Sequence, residues 1–433
     1  MTNQAKIFLI DELKPEDTAM LQALYSRSAS SVAEHLEKVK TVGSGKFMEQ
    51  YYIGYGHDSI ADCGSTTLFI EGLSILADKV LQDWPLYSGQ ETSTRYVNMS
   101  QQPIIDPLGT TASRAILDDW MYFYNNAGEP LKKHLKKLYP RQETEDEKIY
   151  ERAIKARVFD ILRAWLPAGI TTQLSWHTNL RQAKDKLLLM LHYPLPEAQE
   201  IAQNLLLKLK EHYPSSFNFR LDEAREQYRD DTMKTTAYYE ATEAVEFGCQ
   251  INLNKNELAQ YEKILQSRPP RTNLPIFLNE LGNIRFDFLL DYGSFRDLQR
   301  HRNGVCRIPL LTTKHGFNQW YLDELPDDLK RTGLALLNKQ ELAIAVLEAS
   351  LVDKQYYTAL GYNVTCRVAY GLMPTVYTIE LRSGKAVHPT MRRIAHKMHQ
   401  ALTAELPIVK LHSDLEKSDW DIKRGLNTII EKD

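Results

Sequence analysis

The sequence has few cysteines. Cys63, Cys249, Cys306 and Cys366 are four among 433 residues. Their spacing fits neither a disulfide framework nor a zinc site, so a reducing compartment is expected and no metal is. Long apolar runs are also missing. The stretch from Ile7 to Ile10 is too short for a signal-peptide core or a membrane span and reads as a short first strand. Neither sign of charge dominates: 53 basic residues against 56 acidic ones leave a formal charge of −3. No global field therefore draws the chain to nucleic acid or to an anionic membrane. There is no glycine-rich phosphate loop. Together these absences predict a cytoplasmic protein without membrane or nucleic-acid partners, in which any anion site must be local.

What is present is ordinary for a folded chain. Apolar residues make 43% and charged residues 25%, and the length suffices for two domains. The pattern predicts helices over Ala19 to Tyr25, Val32 to Tyr52 (broken near Gly43-Ser44-Gly45), Trp120 to Leu138, Ile149 to Leu162 and Glu197 to His212. It predicts a strand over Cys63 to Phe69 and a buried helix over Leu73 to Leu81. Lys132, Lys133, Lys136 and Lys137 read as a solvated face, and His396 and His399 as exposed histidines rather than metal ligands. Cys306 reads as packed rather than as an activated thiolate.

The most informative stretch is Ser88-Gly89-Gln90-Glu91-Thr92-Ser93-Thr94-Arg95-Tyr96. Extended backbone would point Glu91, Ser93 and Arg95 to one side, a carboxylate, a hydroxyl and a guanidinium fork together. Such a set suits a nucleotide: donors for phosphate and carbonyl oxygens, an acceptor for hydroxyl or N–H. By itself the stretch reads as a polar loop with a surface ion pair. With Gly56-His57-Asp58-Ser59 and Leu68-Phe69-Ile70-Glu71-Gly72-Leu73-Ser74, however, it resembles the flavin-dependent thymidylate synthases. Their signature runs Arg-His-Arg, two residues, Ser, two residues, Glu, x, Ser, x, Arg-Tyr. Ser88, Glu91, Ser93, Arg95 and Tyr96 stand in register, whereas the Arg-His-Arg slot reads Asp83-Trp84-Pro85. Arg163, Asn179 and Arg181 match further family positions, but Leu189-Met190 stands where the family has a Leu-Arg that touches the pyrimidine.

The missing pieces recur downstream. Ile284-Arg285-Phe286-Asp287-Phe288 alternates like the earlier strand and leads to Gln299-Arg300-His301-Arg302, and Leu381-Arg382 supplies the second. There the Glu, Ser and Arg slots hold Ile308, Leu310 and Thr312. The resemblance therefore implies an α/β (α+β) protein of two tandem repeats, residues 1–220 and 241–433 joined by a linker at 221–240, packed as an internal pseudo-dimer. Each half has lost what the other keeps, which implies one composite site and one degenerate site per chain.

The family's chemistry is reductive methylation of dUMP to dTMP, with methylenetetrahydrofolate and NADPH as co-substrates and FAD as cofactor. By resemblance, Gln90, Glu91, Ser93, Arg95, Arg163, Arg300 and Arg382 would hold the nucleotide. His57, Ser59, Glu91, Asn179, Arg181, Arg300, His301 and Arg302 would hold the cofactor. Arg382 would be the catalytic group, stabilising charge on the pyrimidine. A homodimer would rebuild the family's four-unit assembly. Two alternatives stand beside this reading: one-carbon transfer to another uridine nucleotide, or a non-catalytic nucleotide-binding relative.

Overall fold

The computed structural model describes residues 7–426. The chain folds as two compact units, neither continuous in sequence. The first takes the chain up to Glu71, Leu86–Glu91 and Gln173–Ala237; the second takes Gly72–Pro85, Thr92–Thr172 and everything from Tyr238 on.

In the first unit, α1 (Pro15–Tyr25) starts on a proline whose fixed φ suits the first helical turn. It packs against α2 (Val32–Val42), which is capped by the Ser31 side chain on the Ala33 amide. Met20, Leu21 and Val39 form their shared core, with Leu24, Leu36 and Phe47 around it. The expected first strand is absent. Ile7 is 93% exposed and residues 7–13 form no ladder, because no neighbouring strand offers them an edge. The strand β1 (Ser65–Ser74) leads directly into α3 (Ile75–Gln82), which belongs to the second unit and every residue of which is buried. β1 forms a two-stranded sheet with β2 (Thr171–Asn179). After β2 come α6 (Leu180–Met190) and α7 (Pro196–His212). The segment expected as a linker is a helix, α8 (Glu223–Thr236), tied down by His192 Nε2 at 2.8 Å from Glu226.

The second unit holds two long helices that precede β2 in the chain, α4 (Thr111–Leu138) and α5 (Glu147–Leu162). Its sheet is antiparallel, in the order β3 (Phe247–Leu253), β4 (Gly282–Asp291), β6 (Asn363–Tyr370), β5 (Gly304–Cys306). Ile284, Phe286, Phe288 and Leu290 alternate inward along β4, as their spacing predicts. α9 (Tyr292–Leu298) follows β4, and α10 (Asp327–Val346) packs on α4. α11 (Leu372–Ser383) and α12 (Pro389–Glu405) pack on each other after β6. Trp120, Phe123, Trp165 and Phe317 form an aromatic core, with Phe123 and Trp165 ring centroids 4.1 Å apart.

The order of elements repeats. A ten-residue strand leads to a buried helix at β1–α3 and again at β4–α9, and the caps match: the Ser74 side chain accepts from Ala77, and the Asp291 side chain from Ser294. A 3-10 turn, a strand and two helices follow at Arg163–His212 and again at Gln355–Glu405. Backbone hydrogen bonds in the second unit come in exchanged pairs. The Ala168 amide donates to the Thr358 carbonyl and that of Leu360 to Leu166. Gly169 donates to Tyr356, and Gly361 to Ala164. A further pair is matched but not exchanged, each bond staying within its own segment: Ile75 donates to Ile170, and Tyr292 to Tyr362. Pro167 and Ala359, which hold the same place in the two segments, form an antiparallel bridge.

Candidate functional site

The strongest concentration of buried charge lies in the second unit, at the C-terminal end of α5. Asp160 and Arg163 sit three residues apart there and so share a helix face. Asp160 is completely buried. Arg95 forks onto it, with Nε donating to Oδ1 at 2.7 Å and Nη2 to Oδ2 at 3.2 Å. Arg95 Nη2 also donates to the Ala386 carbonyl at 3.1 Å. A second arginine, Arg424, grips the same carboxylate with both of its Nη atoms, Nη2 donating to Oδ1 at 2.7 Å. It comes from the 3-10 turn Ile422–Leu426, which packs along α5.

Arg163 is fully buried and looks toward α9. Its Nη2 donates to Ser294 Oγ at 2.6 Å, and its Nε to the Tyr321 hydroxyl at 3.4 Å. Asp291 and Asp297 lie 3.6 and 3.7 Å from its Nη atoms. Asp291 in turn accepts from the Ser294 amide at 2.8 Å and from Tyr321 Oη at 2.7 Å. Arg382, on the last turn of α11, donates from Nε to His301 Nε2 at 2.7 Å and from Nη2 to the Asp297 carbonyl at 2.5 Å. An arginine N–H pointed at Nε2 leaves that nitrogen unprotonated, so His301 is neutral with its proton on Nδ1.

The electrostatics follow from this geometry. Burial alone would raise the Asp297 carboxyl, but Arg382, Arg95, Arg163 and Arg300 hold it down at about 2. Burial, with Arg382 next to it, pushes His301 down to about 3. Burial also lowers Arg95 and Arg382, while Asp297 works to keep both charged. Arg424 is pushed down to about 9 by burial, with Arg95 adding repulsion. Arg163 is raised: burial opposes its charge, but Tyr321, Asp291 and Asp297 together outweigh it. Such a cluster can hold an anion by paired N–H bonds in a poorly solvated place.

Of the residues expected at a site, Arg95, Arg163, His301 and Arg382 meet here, with Arg300 near enough to act on Asp297. Ser93 stands beside them, its Oγ accepting from the Arg95 amide at 3.3 Å. The expectation that Glu91, Ser93 and Arg95 share one side of an extended strand fails. The chain turns at Ser93, whose carbonyl accepts from the Tyr96 and Val97 amides at 3.3 and 3.0 Å. Arg302 is engaged elsewhere, donating from Nε to the Gln82 carbonyl at 3.1 Å and from Nη2 to Gln82 Oε1 at 3.3 Å. His57, Ser59, Gln90, Glu91, Asn179 and Arg181 belong to the first unit. There Asn179 caps α6 by accepting from the Gln182 amide at 2.8 Å, and Arg181 pairs with Asp62 at 2.8 Å. Gln90 pairs its backbone with Ser175, and Glu91 bridges to Leu174. Ser59 is exposed. His57 Nδ1 is buried without a hydrogen-bond partner among the described residues, the kind of atom a ligand satisfies.

Asp160, Asp291, Asp297, Ser294, Tyr321 and Arg424 were missed in the sequence. The three-residue spacing of Asp160 and Arg163 on a predicted helix is the one local signal that could have shown part of it. His396 and His399 are not solvent-exposed as expected. They fasten the segment after α12, His396 Nε2 to the Asp414 carbonyl and His399 Nδ1 to Ser413 Oγ, both at 2.9 Å. Burial pushes the Cys306 thiol up, as a packed cysteine requires. Among the described residues no cluster of His, Cys, Asp or Glu has the makings of a metal site. No described helix is long and apolar enough to cross a membrane.

Fold and site together define the class: an α+β protein of modest sheets with a buried arginine–carboxylate cluster. Comparison with known proteins gives a family likeness for the first half of the chain. Residues 8–215 match the family model described as thymidylate synthase complementing protein. The match covers a little under half of the chain, and over that part the chain is similar to this family. Its similarity to curated proteins extends through both halves. It is 25% identical over 426 residues to a UPF0159 protein of Chlamydia muridarum (strain MoPn / Nigg), covering 84% of this chain and 79% of that one. A UPF0159 protein of Chlamydia pneumoniae is 24% identical over 452 residues, covering 89% of this chain and 83% of the other. A third, from Thermoplasma acidophilum, is 23% identical over 472 residues, with 90% and 93% covered.

Proposed function

We propose that the chain is a tandem pair of flavin-dependent thymidylate synthase-like repeats, residues 1–220 and 241–433, with one composite nucleotide site. The reaction we assign to it is FAD-dependent methylation of dUMP, or of a close uridine nucleotide, with methylenetetrahydrofolate and NADPH as co-substrates. One observation carries this reading. Arg95 and Arg163, retained in the first half, converge with His301 and Arg382, retained in the second, on a single buried cluster. Independent loss in two halves would not leave complementary groups side by side. The exchanged hydrogen-bond pairs, with Pro167 facing Ala359, support the packing of the halves as an internal pseudo-dimer. The compact units cut across these repeats because they reflect contact, whereas the repeats reflect descent.

In this reading Arg95, Arg163 and Arg300 neutralise the nucleotide phosphate. Arg382 is the catalytic group: oriented by His301 Nε2 and the Asp297 carbonyl, it stabilises negative charge developing on the uracil. His301 does no acid–base work, since its Nε2 is occupied by Arg382. The residues fit the phosphate-bearing part of FAD in part. Arg300 is exposed and His301 keeps a donor at Nδ1, whereas Arg302, Asn179 and Arg181 are engaged in holding the fold. The flavin, when bound, supplies the hydride that completes the methyl group.

The test is the visible spectrum and FAD content of the purified protein, followed by titration with dUMP. About one flavin per chain and saturable dUMP binding are expected. Arg382→Gln should retain flavin and lose dTMP formation. Two flavins per chain would overturn the single composite site. None, even with added FAD, would leave a nucleotide-binding relative without this chemistry.

A further inference from the structure

The second unit holds another cavity, between α4, α5 and the loop at 98–101, with a volume of about 740 Å³. Small-molecule sites span about 300–1,000 Å³. Its floor is apolar and buried: Tyr124 on α4, with Val158, Phe159 and Leu162 on α5. Val158 and Leu162 each stand two residues from Asp160, which puts them on the other side of the helix. The cavity is therefore separate from the arginine cluster. Its rim is polar. Glu151 is committed to α4, bridging to Lys132 at 3.3 Å and to Lys136. Outside the Lys132–Glu151 pair the lining has two cations, Arg152 and Lys155, and one carboxylate, Glu129. Arg152 and Lys155 are three residues apart on α5, exposed, and without a carboxylate partner among the described residues. Lys155 Nζ stands 5.7 Å from the Phe159 ring centroid, so one of these cations lies next to the apolar floor.

The wall at Gly128 points to an occupant. Gly128 lies inside α4, where glycine destabilises a helix relative to alanine. Packing does not require it there: a Cβ would meet only Leu162 Cδ1, at 3.9 Å, an ordinary contact. Gly128 lines the cavity, so the missing side chain leaves room for a ligand against the backbone. Pro130, two residues on, takes a further hydrogen bond out of α4 at the same level. We propose that this cavity binds a flat, largely apolar molecule bearing one carboxylate. Its ring system lies against Phe159 and the bare backbone of Gly128, and its carboxylate sits on Arg152 and Lys155. The single surplus positive charge of the lining favours a carboxylate over a dianionic phosphate. The cavity would do so whatever reaction the arginine cluster serves.

The experiment is calorimetric titration of the full chain with naphthoate, naphthamide and naphthylmethylamine, which share a ring system and differ in charge. Naphthoate should bind at about one site per chain and roughly tenfold more tightly than naphthamide, as one charge-assisted contact implies. Naphthylmethylamine should bind most weakly. Gly128→Leu fills the cavity and should weaken naphthoate about tenfold or more while the thermal midpoint holds or rises, since leucine is the better helix former. Arg152→Gln combined with Lys155→Gln changes only exposed side chains and should bring naphthoate down to the level of naphthamide. It decides the matter if Gly128→Leu fails to fold. Equal affinity for all three probes, or binding unmoved in the folded variants, would overturn the proposal. So would displacement of naphthoate by dUMP, which would assign the probe to the arginine cluster. A Gly128→Leu variant that alters sedimentation and not naphthoate binding would give the cavity to a second copy of the chain instead.

Discussion

At the residue scale the central fact is that one carboxylate, Asp160, serves two guanidiniums with no access to water. Asp160→Asn would leave Arg95 and Arg424 buried against a neutral amide. Breaking a buried charge pair in this way costs about 3–5 kcal/mol, to be read as a fall in the urea midpoint. His301 gives a pH test with a definite sign. Its folded value is about 3, below the ordinary 6.5, so the unfolded chain binds the extra proton first. Its contribution to stability is present above about pH 6.5 and is lost as pH falls from there toward 3. Between pH 6.5 and 5 the loss is on the order of 2 kcal/mol. His301→Gln retains an oxygen acceptor for Arg382 and should flatten that slope in denaturant titrations at several pH values. Buried His388, lowered for the same reason, should leave part of the slope in place. A slope identical in wild type and variant would show that His301 is not held neutral.

At the scale of elements, the site depends on how α5, α9 and α11 end. Each delivers its charged group from its last turn or just beyond it: Asp160 and Arg163, Asp297, Arg382. The exchanged backbone ladder around Pro167 and Ala359 begins just after the end of α5, and the Gly293 amide, donating to the Leu360 carbonyl at 2.8 Å, ties the start of α9 to it. Gly169 and Gly361 hold the same place in its two strands. A Cβ at Gly169 would fall 2.7 Å from the Ile105 carbonyl oxygen, and one at Gly361 would fall 2.4 Å from the Phe317 ring. Gly169→Ala and Gly361→Ala should each destabilise by about 1–3 kcal/mol through overpacking, as measured by chemical denaturation. If either is silent, the ladder is softer than its close contacts imply.

At the scale of the molecule, the proposed four-repeat assembly predicts a homodimer in sedimentation. A stable monomer at micromolar concentration would remove it. Similarity to the curated relatives covers 84%, 89% and 90% of this chain, so it extends well beyond the first half.

The sequence by itself determined the elements and the inventory. The period of apolar residues marked α5, α7 and β4, and the buried helix after β1, because each buries one face or all of itself and must be written accordingly. It misread Ile7 to Ile10 as a strand, since an apolar run becomes a strand only where a partner edge waits for it. It misread Glu91, Ser93 and Arg95 as one face, since a turn at Ser93 leaves no mark in so polar a stretch. Only the tertiary structure decided that Asn179, Arg181 and Arg302 hold the fold, and that Arg95, Arg163, His301 and Arg382 meet. It alone revealed Asp160, Asp297 and Arg424. A buried charge is chosen by its partner, and these partners lie 65 to 264 residues away along the chain, where no local pattern reaches.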